Sequence, residues 1–176
     1  LLLFYFFAIC LVLNLLCEYA YSYNVRIITP VYAFFFRGML RGEVKPGQWV
    51  VSGSPPVFAA AALSCLLFPQ KIAAIALGVM LVADTAAALI GRKFGKHKTV
   101  NGKSLEGTAA FCIAGWIFSI GLLACGGLLN VRTLAGAVFG VFLASLAELF
   151  EKQLHVDDNL SIPLAAGTLI TLSGLI

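Results

Sequence analysis

The sequence predicts an all-α, polytopic membrane protein with about six membrane helices in a single domain, residues 1–176. Three observations predict this fold: 61% of the 176 residues are hydrophobic, 11% are charged, and the mean hydropathy is +0.98. Such values lie outside the range of soluble globular proteins. Spans of about 20 residues joined by short loops leave no length for a second domain.

The apolar segments give the order of the predicted helices. Because a helix needs about 20 apolar residues to cross a bilayer, we predict spans at roughly 1–23, 49–69, 71–91, 106–129, 133–151 and 160–176. Segment 25–40 is apolar and aromatic but contains Pro30 and Arg37, so it fits an interfacial or re-entrant helix as well as a span. Since the chain begins with Leu1 rather than Met, we expect further residues before it in the full protein.

Basic residues are unevenly distributed over the predicted loops. If segment 25–40 does not cross, Lys71 and Arg132 lie on one face, and the opposite face collects Arg26, Arg37, Arg41, Lys45, Arg92, Lys93, Lys96, Lys98, Lys103 and Lys152. The positive-inside rule makes this second, basic face cytosolic. The net charge of +4 thus reflects topology and an anionic ligand, and it requires no nucleic acid partner.

The cysteines and histidines do not indicate a metal or disulfide site. The five cysteines are odd in number and lie in apolar segments, without close pairs or histidines at ligand spacing. We interpret them as small buried apolar side chains. His97 and His155 are interpreted as solvated loop residues.

The third predicted span carries an acid followed by small residues at helical steps of three, four and four: Asp84, Ala87, Gly91 and Gly95. They form one stripe. A stripe of small residues is typical of packing between membrane helices, and for the glycines alone packing is the commoner role. An ionised carboxylate near a membrane helix end is costly and indicates a functional site. Asp84 would need a cation such as Mg²⁺ carried by a nucleotide, a hydrogen-bond network, water, or a salt bridge to Arg92 or Lys103.

The loop after this span is basic and leads into the motif KSLEG. Its cations, Arg92, Lys93, Lys96, Lys98 and Lys103, fit either an anchor on anionic lipid headgroups or a phosphate site. Ser104 is predicted to cap the next helix, whose free N–H groups would bind a phosphate together with Lys103. Glu106 would coordinate Mg²⁺ or orient Lys103, or would only complement the helix dipole.

A second acidic group follows the fifth predicted span. Its members are Glu148, Glu151, Asp157, Asp158 and Asn159. Local roles are available, because Glu148 can pair with Lys152 and Asp158 or Asn159 can cap the last helix. Hard cations such as Mg²⁺, however, prefer ligands of this kind. The order of the spans predicts that this group meets Asp84 and Lys103 at one face of the membrane.

Several separated motifs in this order resemble one family. DTAAALIGRKFGK, KSLEG and DDNLSIPLAAG, with weaker support from RGE and LFP, resemble the family of dolichol kinases, phytol kinases and CTP-dependent diacylglycerol kinases, over roughly residues 37–167. Many members carry a basic, histidine-containing helix before the first span, which this sequence lacks. The eukaryotic dolichol kinases are also far longer, so this chain looks more like a bacterial, archaeal or plastid-type member.

The resemblance implies transfer of a phosphoryl group from CTP to the hydroxyl of a membrane lipid alcohol, and the acidic residues described above add the expectation of Mg²⁺ at the site. It implies catalytic roles for Asp84, Lys103, Glu106 and Asp158. Metal ligands would come from Asp84, Glu106, Glu148, Asp157 and Asp158. Taken together with the small-residue stripe and the basic loop, the resemblance predicts nucleotide binding by Ala87, Gly91, Arg92, Gly95, Lys96, Lys98, Lys103, Ser104, Gly107 and Asn159.

Two alternative functions remain open from the sequence. Phosphatidate cytidylyltransferases share the Asp-led helix, a GRxFGK loop and a Lys…EG helix start, but DDNLSIPL stands where they have a PGHGG-like glycine run. A transporter or scaffold could use the same acids for ion coupling. That alternative leaves the KSLEG helix start unexplained.

Overall fold

The computed structural model describes residues 1–26, 28–36, 49 and 52–175. Two compact units are present, Leu1–Leu63 and Ser64–Ile176. The predicted cytosolic residues Arg37, Arg41 and Lys45, the RGE motif and the end of segment 25–40 lie outside the described residues.

The described elements are helical, which confirms the all-α membrane bundle. Four helices are long and apolar enough to cross a membrane: α1 (Leu2–Ser22), α4 (Gln70–Phe94), α5 (Leu105–Cys125) and α6 (Val131–Leu149). Each matches a predicted span to within a few residues. A four-residue helix, α7 (Glu151–Leu154), follows α6.

The other predicted segments form shorter or more polar helices. Segment 25–40 contains α2 (Ile28–Phe36), whose nine residues are fewer than the roughly 20 of a span. The span predicted at 49–69 begins later, as α3 (Ser54–Leu67) of 14 residues. The last span is α8 (Asp158–Leu175), of 18 residues, and its first two residues are polar.

In the unit Leu1–Leu63, α1 packs against α2. The buried residues of α1 are Glu18, Ala20 and Ser22, whereas large apolar side chains such as Leu16 are exposed. Exposed apolar side chains along a helix of this length are what a lipid environment favours, since lipid tails are as apolar as the side chains themselves.

In the unit Ser64–Ile176, α4 packs against α5 and α8, and α6 packs against the same two helices. Phe111, Val79, Val141 and Ile170 are fully buried. Small residues allow close approach: a Cβ on Gly140 would lie 3.1 Å from the carbonyl oxygen of Ala166 in α8. Because the helices are joined by short loops, the end of α4, the start of α5, the end of α6 and the start of α8 meet at one end of the unit.

Candidate functional site

A pocket of about 330 Å³ lies where these four helix ends meet. Its lining combines acids, cations and small residues from every one of these helices and from α7: Asp84, Ala87, Ala88, Gly91, Arg92, Lys98, Gly102, Lys103, Ser104, Gly107, Thr108, Glu148, Glu151 and Asp158. The acids contribute a formal charge of −4 and the cations +3, so the lining carries about one net negative charge. Carboxylate oxygens and cationic side chains therefore occur in the same pocket.

Lys103 connects the acids of three helices. Its Nζ lies 2.7 Å from Glu148 Oε1 and donates a hydrogen bond of 2.6 Å to the Glu148 backbone carbonyl. Glu151 Oε2 and Asp158 Oδ2 each lie 3.6 Å from the same nitrogen. The structure thus brings the KSLEG motif and the second acidic group together, and Glu148 pairs with Lys103 rather than with Lys152.

The surroundings of Lys103 keep it charged. Burial by itself would lower the pKa of Lys103, but the hydrogen bond from Lys103 to Glu148 and the charges of Glu148, Asp158 and Glu151 together outweigh it. The net effect raises the pKa above its ordinary value. Lys103 is therefore a permanent cation in neutral solution.

Asp84 faces the same pocket from α4 and is half-buried. Among the described residues, none donates a hydrogen bond to its carboxylate or forms an ion pair with it. Arg92 instead donates from Nε to the Ala88 carbonyl of its own helix, at 3.0 Å. Direct pairing of Asp84 with Arg92 or Lys103 was one of the alternatives from the sequence, and the structure contains neither pair.

Three carboxylates form a compact oxygen cluster beside Lys103. One oxygen each of Glu151, Asp157 and Asp158 lies within 4.8 Å of the others. Burial raises the pKa of Glu151, and the negative charge of Asp158 adds to that effect, while Lys103 opposes it. This donor set of hard oxygens is the kind that binds Mg²⁺.

The start of α8 differs in detail from the prediction. Asp157, not Asp158 or Asn159, caps the helix, because its Oδ1 accepts the Asn159 backbone N–H at 3.1 Å. The Asn159 amide donates to Asp157 Oδ1 at 2.9 Å and to Asp158 Oδ1 at 3.3 Å. Neither Asp157 nor Asn159 is among the described pocket-lining residues, so Asn159 orients the acids rather than facing the pocket.

The predicted cap of α5 is confirmed. The Ser104 hydroxyl accepts a hydrogen bond of 3.2 Å from the Gly107 backbone N–H. Before it, the loop turns back on itself, since the Thr99 N–H donates to the Lys103 carbonyl at 2.7 Å. Lys103 is thus held between a tight turn and a capped helix start.

Asn101 is a site residue that the sequence interpretation missed. Its side-chain amide donates to the Leu149 carbonyl at 2.9 Å and to Gln153 Oε1 at 2.7 Å, which ties the loop to the end of α6 and to α7. Asn101 has φ +65°, a left-handed conformation that Asn and Gly adopt most readily. The dipeptide Asn101-Gly102 is a turn signal and would have been the clue.

The small residues serve mainly as a packing seam between α4 and α5. A Cβ on Gly107 would lie 3.0 Å from the Ala87 carbonyl oxygen and 3.3 Å from Gly91 Cα. A Cβ on Gly95 would lie 2.6 Å from the Ser104 hydroxyl. Ala87, Gly91 and Gly107 also line the pocket, whereas Gly95 is not among the described residues that do. The glycines therefore have the packing role that was expected for them, and the close approach of α4 and α5 that they allow also determines where the pocket walls lie.

Glu106 lies away from the pocket lining. Its Oε1 lies 2.7 Å from His97 Nδ1, and the same oxygen accepts the His97 backbone N–H at 3.2 Å. Glu106 thus fastens the loop and does not contact Lys103, contrary to one of its predicted roles. His97, interpreted as a solvated loop residue, is its partner. Lys98 and Arg92 line the pocket, while Lys96 is not among the described residues that line it.

Comparison with known proteins links this chain with a plant kinase. No protein-family model matches the sequence, and no solved structure matches it. The chain is 29% identical over 131 residues to an uncharacterized protein of Rickettsia prowazekii (strain Madrid E), covering 74% of this chain and 63% of that protein.

Over 113 residues the chain is 35% identical to the probable phytol kinase 1, chloroplastic, of Glycine max, covering 58% of this chain and 37% of that protein. The chain therefore spans less than two thirds of the length of either relative. The second similarity supports a relationship to phytol-kinase-like membrane lipid kinases.

Proposed function

We propose that this chain transfers a phosphoryl group from CTP to the hydroxyl of a membrane lipid alcohol. The observation that carries the proposal is the position of Lys103 among Glu148, Glu151 and Asp158, in one pocket with Asp84. Phosphoryl transfer requires positioning and charge neutralisation more than covalent chemistry by the protein. A pocket with both cations and oxygen ligands supports that requirement.

The acids fit a divalent metal. Glu151, Asp157 and Asp158 offer oxygens within 4.8 Å of one another, and Asp84 adds a carboxylate without an ion pair in the described part of the chain. We propose that Glu151, Asp157 and Asp158 hold Mg²⁺, with Asp158 as its principal ligand and with Asp84 facing the same pocket. When bound, Mg²⁺ supplies positive charge that offsets the charge of the phosphates.

Lys103 and the start of α5 would bind the phosphates. Two of the three N–H groups of Lys103 serve Glu148, through the carboxylate and the backbone carbonyl, which leaves one donor for a phosphate oxygen. Arg92 and Lys98 line the same pocket and add charge. The dipole of α5 favours an anion beside Lys103, although the Leu105 N–H bonds the His97 carbonyl and the Gly107 N–H bonds the Ser104 hydroxyl.

Asp84 is proposed to orient the lipid hydroxyl and to accept its proton. It lies on α4, a candidate membrane helix, at the pocket wall, where a hydroxyl from the bilayer can meet the phosphates. A general base must reach the proton it removes, and Asp84 has an unpaired carboxylate in that position. Glu148 is not proposed as the base because its carboxylate forms an ion pair with Lys103.

The identities of the phosphoryl donor and of the lipid acceptor are inferred from similarity to other proteins. CTP follows from the family that the motifs resemble. An isoprenoid alcohol such as phytol follows from the name of the Glycine max relative, and other polyprenols or diacylglycerol have the same reacting group. The proposed active site faces the cytosol, because six of the eight Lys and Arg residues of the unit Ser64–Ile176 lie at the pocket end, with Lys71 and Arg132 at the starts of α4 and α6.

The test is a transfer assay on the purified chain in lipid nanodiscs with γ-labelled CTP and Mg²⁺. Phytol, geranylgeraniol, farnesol, a polyprenol and diacylglycerol are offered in parallel. We expect label in an alcohol and release of CDP. A lipid phosphate is offered in a separate reaction, where release of pyrophosphate would instead indicate cytidylyl transfer. The absence of nucleotide binding would favour a transporter or scaffold.

A further inference from the structure

A second cavity lies within the unit Leu1–Leu63, and its walls are almost entirely apolar. It has a volume of about 480 Å³ and is bounded by α1, by α2 and by the start of α3. Leu13, Val57 and Phe58 form much of the apolar wall, while Asn14 and Tyr32 bring polar atoms to it. Cavities of this size are typical of sites for small molecules with extended apolar parts.

One wall of this cavity carries an acceptor for which the described residues supply no donor. Asn14 Oδ1 is buried and has no hydrogen-bond partner in the described part of the chain. A buried acceptor left without a donor costs roughly 1–3 kcal/mol, so such atoms in a folded protein require an explanation. A ligand that donates a hydrogen bond would supply one.

A buried hydrogen-bond network close to Asn14 holds α1 against α2 and against the segment before α3. Glu18, one turn later on α1, is fully buried, and its Oε1 accepts hydrogen bonds from the Tyr32 hydroxyl at 3.3 Å, from the Ser52 backbone N–H at 3.2 Å and from the Ser52 hydroxyl. Its second oxygen, Oε2, also lacks a partner among the described residues. The network joins α1 to α2 and to the segment before α3, which keeps the polar end of the cavity in place.

We infer that this cavity binds a membrane lipid with one apolar chain and a hydroxyl head, whose O–H donates to Asn14 Oδ1. The chain lies against Leu13, Val57 and Phe58. A hydroxyl fits better than a charged head, because none of the described lining residues carries a charge. An ammonium or a phosphate would lose its hydration there without a counter-ion. The binding of this lipid does not rest on the proposed function.

The test uses a long-chain primary alcohol with a diazirine on its chain, and the methyl ether of the same compound. The ether keeps the apolar chain but has no hydrogen to donate. Purified full chain in phosphatidylcholine nanodiscs is irradiated with each probe, without nucleotide, and labelled peptides are identified by mass spectrometry. We expect the alcohol to label residues of α1 and α3 at this cavity, at about tenfold lower concentration than the ether, as for one lost hydrogen bond.

Three variants locate the site. Val57→Trp fills the cavity and should abolish labelling, while Leu16→Trp, at an exposed position of the same unit, should leave it unchanged. Asn14→Leu should keep labelling but remove the difference between alcohol and ether. Equal labelling of the unaltered protein by both probes, or labelling that survives Val57→Trp, would overturn the inference. Because no nucleotide is present, loss of labelling and loss of phosphoryl transfer are separate results.

Discussion

Lys103 is the residue on which the proposed site depends most. Its ammonium group lies 2.7 Å from a Glu148 carboxylate that is only 8% exposed, and 3.6 Å from two further acids. Removing one partner of a buried ion pair leaves an uncompensated charge and costs more than the pair contributes. Lys103 therefore contributes to stability in addition to its proposed phosphate binding, and the two roles are separable by experiment.

Lys103→Met should abolish transfer and lower the melting temperature by about 10 °C, since roughly 3 kcal/mol is lost when the buried Glu148 has no counter-ion. Lys71→Met is the matched control, because Lys71 is exposed and bonds only the Gly126 carbonyl in the described structure. It should keep both properties. The double variant Lys103→Met with Glu148→Leu should regain stability but not transfer. Full transfer by Lys103→Met would exclude Lys103 from phosphate binding.

The stability that Lys103 contributes has a defined pH range. Its pKa is raised above the ordinary 10.5 in the folded protein, so folding favours the protonated form. The contribution is fully present below pH 10.5 and is lost as the pH rises through the folded-state pKa. Thermal unfolding of the unaltered chain and of Lys103→Met should therefore differ equally at pH 7 and pH 9. A difference that shrinks between these two values would contradict the raised pKa.

Residue types indicated some local contacts and not others. Ser104 could be predicted as a helix cap because a hydroxyl before a helix start accepts from the first turn. The cap at Asp157 could not be separated from Asp158 or Asn159, since all three residue types serve as caps. The pairing of Glu106 with His97 depends on the loop folding back at Asn101; the Asn101-Gly102 dipeptide indicates a turn there but not which side chains the turn brings together.

At the scale of elements, the loop between α4 and α5 is held against α6 and α7 by two of its side chains, Asn101 and Lys103. Asn101 bonds the Leu149 carbonyl and Gln153, and two residues later Lys103 reaches Glu148. The amide of Asn101 thus connects the loop to the helices that carry the acids. A loop held in this way presents Lys103 with little conformational freedom to lose on binding.

Asn101→Gly keeps the left-handed backbone available and removes the amide. We expect about tenfold lower transfer, from the loss of up to two hydrogen bonds. Asn101→Ala should be worse, because a left-handed Ala costs roughly a further 1 kcal/mol. Asn24→Gly, at another left-handed position with φ +55°, is the control and should retain activity. Unchanged kinetics in Asn101→Gly would show that the amide does not position the loop.

The seam between α4 and α5 gives a prediction about packing. Gly107→Ala brings a Cβ to 3.0 Å from the Ala87 carbonyl oxygen, so we expect destabilisation by about 1–3 kcal/mol and a distorted pocket. Gly121 of the same helix has nothing within 4 Å of an added Cβ. Gly121→Ala should stabilise the protein by up to about 1 kcal/mol. The two melting temperatures must move in opposite directions; a shared direction would mean that the seam is loose.

Element predictions succeeded where the apolar pattern was long. The spans of α1, α4, α5 and α6 follow from uninterrupted hydropathy, and their ends differ from the predicted ones by a few residues. The start of α3 was placed too early, because Trp49 keeps the hydropathy pattern apolar ahead of Ser54, where the helix begins. Hydropathy reports the polarity of a segment and does not mark where helical hydrogen bonding begins.

At the scale of the molecule, the order of the helices determines which residues meet. Asp84 and Asp158 are far apart in sequence, yet α4 and α8 pack against each other and bring both acids to one pocket. The count of spans was sufficient to predict that meeting. The partner of each acid was not predictable, since it depends on side-chain distances of a few ångströms. Glu18 of the other unit was also missed, because one acid in an apolar segment has no motif around it.

The most direct test of the central claim is phosphoryl transfer by Asp84→Asn. This substitution keeps the size of the side chain and removes its charge, and Thr85→Val on the same helix is the control. With γ-labelled CTP and phytol in nanodiscs, we predict that Asp84→Asn inserts and folds normally but transfers at least a hundredfold more slowly, in keeping with the loss of a general base. Transfer at the rate of the unaltered chain would contradict the account.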